Sequence, residues 1–218
     1  MKKRIFAFIL ALTMLFLLGC DRKGEKTDYG GFVDTKTGIE YTFCTPRGLY
    51  AVSRGEDFIT VGDRVYAEVQ FEDTSRFLCL EDSGELLLLR AKDLEEPTLA
   101  TFNPIAAQIY TDDNAMMITN FYADDEYLPD DKKGINPTQD SGICRQIAET
   151  ITNNEAQVLP AEIDRDEMFY IRLLSQDYPG LYYAVVFYGH NGRYYLYDRA
   201  TGKVVFAPRD VIIRMVGE

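Results

Sequence analysis

The chain has 218 residues, with 35 acidic side chains against 23 basic ones and a single histidine, for a net charge of −12. Such an excess of negative charge opposes nucleic-acid binding, which needs Lys and Arg clustered against phosphate, and one histidine excludes multi-histidine metal sites. The aromatic residues are all Tyr and Phe, so the common Trp platform for stacking sugars is missing.

The N-terminus divides into zones. Lys2, Lys3 and Arg4 form a positive stretch, and Ile5 to Leu18 follow as an apolar run of fourteen residues. A spanning helix needs roughly 20 apolar residues, whereas this length suits the apolar core of a signal peptide. The run ends at Leu17-Leu18-Gly19-Cys20. That segment resembles the lipobox of bacterial lipoproteins: Leu, a variable residue, Gly or Ala, then Cys. The resemblance covers about the first twenty residues. It implies a signal peptide over 1–19, cleavage after Gly19, and a diacylglycerol thioether on Cys20 with chains of the palmitate type. It implies membrane attachment through that lipid, at the extracytoplasmic face of the cell membrane. Each buried lipid CH₂ adds about 0.8 kcal/mol to attachment, and two chains hold where one does not. Asp21 beside the modified cysteine resembles an inner-membrane retention signal, should the host be Gram-negative. Loss of Lys2, Lys3 and Arg4 leaves 20 basic against 35 acidic residues, −15, in the mature chain. An anionic lipid surface repels that charge, so the anchor has to do the holding.

Residues 20–37 open with Asp21-Arg22-Lys23-Gly24-Glu25-Lys26-Thr27-Asp28-Tyr29-Gly30-Gly31, which contains little to bury. The segment is expected to be a flexible tether, with eleven such residues reaching roughly 18 Å on average.

Residues 38–123 alternate short apolar runs with turn residues. Ile39 to Cys44 and Gly48 to Ser53 are expected to pair across Thr45-Pro46-Arg47. Phe58 to Val61 and Arg64 to Phe71 form a hairpin at Gly62-Asp63, and Arg76 to Arg90 another at Asp82-Ser83-Gly84. Val65, Ala67, Val69 and Phe71 alternate with Tyr66, Glu68, Gln70 and Glu72, which predicts one buried face and one wet face. Ile105 to Tyr110 and Met116 to Tyr122 would close this half.

The stretch 124–139 is acidic and interrupted by Pro129, as a loop between halves would be. Its run from Asp124 to Asp131 lacks the alternating carboxylates and central glycine of an EF-hand. A helix then starts at an Asn136 or Asp140 cap, with Ile143, Ile147 and Ile151 recurring every four residues beside Cys144 and Ala148, and ends near Asn153-Asn154. Met168 to Ser175, Leu181 to Tyr188, Arg193 to Asp198 and Lys203 to Ala207 make four strands with short turns, an antiparallel meander completing 140–218. The fold expected is α+β: mainly antiparallel sheet, with one amphipathic helix packed on it. Hairpins beginning at Arg76 and Arg193 echo one another, which allows two β-rich subdomains.

Three cysteines follow Cys20. Cys44 and Cys79 fall in expected strands and are candidates to pair, while Cys144 suits a small buried apolar position. His190, in Gly-His-Asn-Gly, is a turn residue, and nothing in the local sequence marks Cys144 as an activated nucleophile. No catalytic set, metal ligands or cofactor is expected. Tyr182, Tyr183, Tyr188, Tyr194 and Tyr195 on adjacent strands are the candidate binding patch, because Tyr is enriched at interfaces. The function expected is that of a non-enzymatic lipoprotein whose domain binds an envelope protein or small ligand. A surface hydrolase using carboxylates or a lone nucleophile, and a structural subunit of an envelope complex, are the alternatives.

Overall fold

The computed structural model describes residues 23–27, 30–45, 48–111, 117–122, 138–160 and 164–216. Gly19, Cys20, Asn136 and the acidic run Asp124 to Asp131 lie outside them. In chain order the first strands are β1 (Gly24–Lys26), β2 (Phe32–Asp34), β3 (Glu40–Phe43), β4 (Leu49–Ala51), β5 (Arg54–Val61), β6 (Arg64–Val69), β7 (Phe77–Asp82) and β8 (Glu85–Ala91). There follow β9 (Pro104–Tyr110), β10 (Met117–Tyr122), β11 (Thr138–Gln139), helix α1 (Ser141–Asn153), β12 (Asp164–Ser175), β13 (Leu181–His190), β14 (Arg193–Asp198), β15 (Val204–Phe206) and helix α2 (Arg209–Val216). The architecture is mostly antiparallel β-sheet, arranged as two sheets.

The first sheet runs β1-β2-β3-β8-β7-β6-β5. A bridge between Lys23 and Thr60 joins its two edge strands, so the sheet closes on itself as a small barrel. Every second side chain points inward, and Phe32, Tyr41, Ile59, Val61, Tyr66, Leu78, Leu80 and Leu89 fill the interior. Phe32 is fully buried, its ring 5.0 Å from Tyr41 and 4.4 Å from Tyr66. For the described residues 23–27 and 30–37 this corrects the expectation of a tether over 20–37. The stretch is polar enough for a linker, but one large apolar side chain and an Asp-capped turn suffice to tie it into the barrel.

Two hairpin turns follow directly from local sequence. Ser83-Gly84 and Asn191-Gly192 both have positive φ at each central residue, the backbone that matches strand twist and that Asn and Gly accept at little cost.

The two sheets interlock rather than divide the chain into halves. β3 pairs with β2 and β8, and β4 leaves the barrel to pair with β13. The expected β3–β4 hairpin is therefore not formed. β9 and β10 belong to the second sheet through the β9–β12 pairing, so the boundary drawn between 38–123 and 140–218 cuts across it. β6 also differs from its one-sided expectation: Tyr66 lies in the barrel, while Ala67 and Val69 enter the core between the sheets. A strand shared by two cores has no wet face to alternate with.

The second sheet runs β11-β10-β9-β12-β13-β14-β15, with β4 on the β14 side of β13. Its inner face, the outer wall of β6–β8 and both helices meet in one core. Ile143, Cys144, Ile147, Ala148 and Ile151 of α1 are buried there, and the Asp140 carboxylate caps the helix by accepting from the Gly142 amide.

Cys44, Cys79 and Cys144 are buried free thiols. The candidate Cys44–Cys79 disulfide fails on register. Leu88 stands directly opposite Cys79, and its carbonyl accepts from the Cys44 amide, which sets Leu88 between the two cysteines. Two strand spacings of about 4.8 Å exceed the roughly 7 Å Cα limit for a disulfide.

Asp34 and Asp198 build matching turns. Each buried carboxylate accepts from the amide two residues on and from the Thr hydroxyl three residues on (Lys36 and Thr37; Ala200 and Thr201). The echo between the halves thus lies in Asp-x-x-Thr-Gly turns, not in the Arg76 and Arg193 hairpins.

Candidate functional site

The five candidate tyrosines do not form one exposed patch. Alternation along β13 and β14 sends Tyr183 and Tyr194 inward and Tyr182, Tyr188 and Tyr195 outward. Tyr183 is buried and donates to the Asp198 carboxylate at 3.1 Å; burial, with Asp198 beside it, holds its phenol in the protonated form. Tyr194 is half-buried and stacks on Phe187 at 5.5 Å. Tyr188 is fully buried, stacked on Tyr195 at 5.2 Å, and its hydroxyl finds no hydrogen-bond partner among the described residues. Burial pushes its pKa up to about 12. Tyr195 is buried as well, which leaves Tyr182 half-exposed on the outer side. The correction has a simple cause: β13 is the central strand and is packed on both faces.

Register assembles a different surface on the outside of the second sheet. Met168, Tyr188, Tyr195 and Phe206 form one cross-strand row, and Tyr110, Tyr170, Val186, Tyr197 and Val204 the next. Asn120, Gln108, Arg172 and Ala184 follow, then Tyr122, Ala106, Leu174, Tyr182 and Tyr50. In the two apolar clusters on this side, every described residue comes from the sheet itself.

Arg172 sits near the centre. Its guanidinium lies 4.3 Å from the Tyr110 ring centroid and 4.7 Å from that of Tyr182, which in turn stacks on Tyr50 at 5.2 Å. Such cation–π contacts contribute about 0.5–2 kcal/mol each, and they hold the planar cation in a defined orientation. Arg199 lies over Tyr170 and Arg193 over Phe206, each at 6.0 Å. Three guanidinium groups thus share one aromatic face in a chain whose net charge is −12.

Sequence inspection missed Tyr50, Tyr110, Tyr170 and Arg172. The alternation Met168, Tyr170, Arg172, Leu174 along β12 was an available signal for two of them. Tyr50 and Tyr110 arrive from distant strands and carry none.

The described residues outside this face offer no assembled chemistry. Burial pushes the Cys44 and Cys144 thiols up to about 12 and the Cys79 thiol to about 11, which suppresses the thiolate a nucleophile needs. His190 stands at the β13–β14 hairpin with its Nε2 2.9 Å from the Asn191 amide nitrogen. No group of three His, Cys, Asp or Glu side chains is placed to hold a metal ion among the described residues. No described helix is long and apolar enough to cross a membrane. No protein-family model, curated protein or solved structure matches the chain.

Proposed function

We propose that this chain is a bacterial lipoprotein, held at the extracytoplasmic face of the cell membrane by lipid on Cys20. Its domain is non-enzymatic and binds an envelope protein through the outer face of the second sheet. The anchor rests on the Leu17-Leu18-Gly19-Cys20 segment after its apolar run. The binding role rests on one observation, the Arg172 guanidinium between the rings of Tyr110 and Tyr182. Tyr and Arg dominate the residues that carry affinity at protein interfaces. With three guanidinium groups over its rings, this face suits an acidic or aromatic partner surface. In this reading the partner meets the half-exposed side chains of that outer face, Tyr50, Tyr110, Tyr170, Arg172 and Tyr182, and the exposed Phe206, while Tyr188 and Tyr195 are already buried.

The test has two parts. In cells making the full chain, Cys20→Ala should abolish palmitate labelling and release the protein from membranes; continued labelling would sink the anchor. A photoreactive residue at Tyr170 should crosslink one defined protein. Arg172→Ala should weaken that complex by about 2 kcal/mol, roughly 30-fold in Kd, while Glu81→Ala on the barrel leaves it unchanged. Equal capture by both variants would refute the face as the binding site.

A further inference from the structure

If Cys20 carries the lipid, the orientation of the domain follows from chain length and strand order. Lys23, the first described residue and one tied into the barrel, is three residues from Cys20. A chain extends at most about 3.6 Å per residue, so Lys23 stands within about 11 Å of the anchored cysteine. That is too short for the barrel to turn over freely on its leash.

The closed ring defines what lies opposite. From β1, three steps by way of β2 and β3 reach β8, and three steps by way of β5 and β6 reach β7. The β7–β8 pair is the wall that sends Phe77, Cys79 and Leu88 into the core shared with the second sheet. β1 and the second sheet therefore occupy opposite walls of the barrel. The Tyr–Arg face lies one layer further out, on the side of the second sheet turned from the barrel. Packed layers stand about 10 Å apart, so on the order of 20 Å separates the β1 wall from the second sheet.

Charge agrees with this placement. Along β1 and the turn after β2, Lys23, Lys26 and Lys36 are exposed against exposed Glu25, and the Asp34 carboxylate is buried in its turn. Lys26 also faces Asp63 at 3.6 Å. This wall escapes the acidity of the chain as a whole, and only such a wall can approach anionic headgroups closely without repulsion.

We infer that the β1 wall of the barrel is a membrane-apposed surface whose occupant is the headgroup layer of the bilayer. The Tyr–Arg face then points away from the membrane, toward a partner in the aqueous envelope space. The inference rests on lipidation of Cys20.

The test uses the lipidated full chain in vesicles of phosphatidylethanolamine and phosphatidylglycerol that carry a headgroup-attached nitroxide quencher. A fluorophore is placed by Lys36→Cys on the β2–β3 turn, with Glu25→Cys as a second wall position, or by Phe206→Cys at the edge of the aromatic face. Quenching at both wall positions should exceed that at Phe206→Cys several-fold. Equal or reversed quenching in protein that floats with the vesicles overturns the orientation and leaves the anchor standing. Protein that carries no lipid mass on Cys20 and fails to float overturns the anchor and the orientation together. A Gly/Ser-rich insertion between Arg22 and Lys23 should preserve flotation and level the signals; a surviving difference would overturn the short leash as the cause.

Discussion

Phe32→Ala separates a barrel strand from a tether more sharply than any other single change. The ring is fully buried, and its loss empties a site walled by Tyr41 and Tyr66. Removal of a buried Phe costs about 3–5 kcal/mol through lost transfer energy and the cavity left behind, and two aromatic contacts place Phe32 toward the upper end. With a urea slope near 3 kcal/mol/M, the upper part of the range for small proteins, the midpoint should fall by about 1.3–1.7 M. The paired control is Lys36→Ala, an exposed change expected to stay within about 0.5 kcal/mol. Urea titration followed by tyrosine fluorescence and by circular dichroism reports both variants. A midpoint shift for Phe32→Ala no larger than the control's would return residues 23–37 to the status of a linker. It would also lengthen the leash on which the membrane orientation depends.

Three further outcomes follow from the packing. Asp198→Ala should destabilise by about 2–4 kcal/mol, because it strands donors from Ala200, Thr201 and Tyr183 in a buried turn, whereas a melting temperature within a degree or two of the parent would refute the turn's role. Burial raises the pKa of Glu72 even though its carboxylate accepts from the Gly180 amide and pairs with Arg76, so the native state holds that proton more tightly than the unfolded chain. Its contribution is complete below the ordinary carboxylate range and is lost as pH rises through the elevated native value; Glu72→Gln should therefore gain on the parent as pH rises above the ordinary carboxylate range, and a constant gap in urea midpoint would contradict this. Cys44, Cys79 and Cys144 should resist a disulfide reagent at about pH 8 until the chain is unfolded, and a fast-reacting thiol in the native protein would show that one of them is exposed.

The cysteines and tyrosines show where local pattern stops being informative. Cys79 stands in β7 and Cys44 directly follows β3, yet whether they can meet depends on Leu88 lying between them, a fact about strand order. The candidate tyrosines on β13 and β14 alternate as their sequence requires, yet their burial depends on both sides of those strands being packed. Arg172 reaches Tyr110 and Tyr182 because β9, β12 and β13 lie side by side.

What the sequence determined alone is whatever the chain settles within a few residues. Gly62-Asp63, Ser83-Gly84 and Asn191-Gly192 reverse the backbone at the hairpins, since their conformational preferences are local. The lipid-anchor proposal is of the same kind, for it draws only on the run that ends at Cys20. Tertiary structure alone decided that Lys23 closes a barrel on Thr60, that β3 chooses β8 over β4, and that Tyr50 joins Tyr182. The reason is that backbone hydrogen bonds are nearly blind to side-chain identity. Strand partners are chosen by which arrangement buries both faces of β6, β7 and β13 at once, and that condition involves the whole chain.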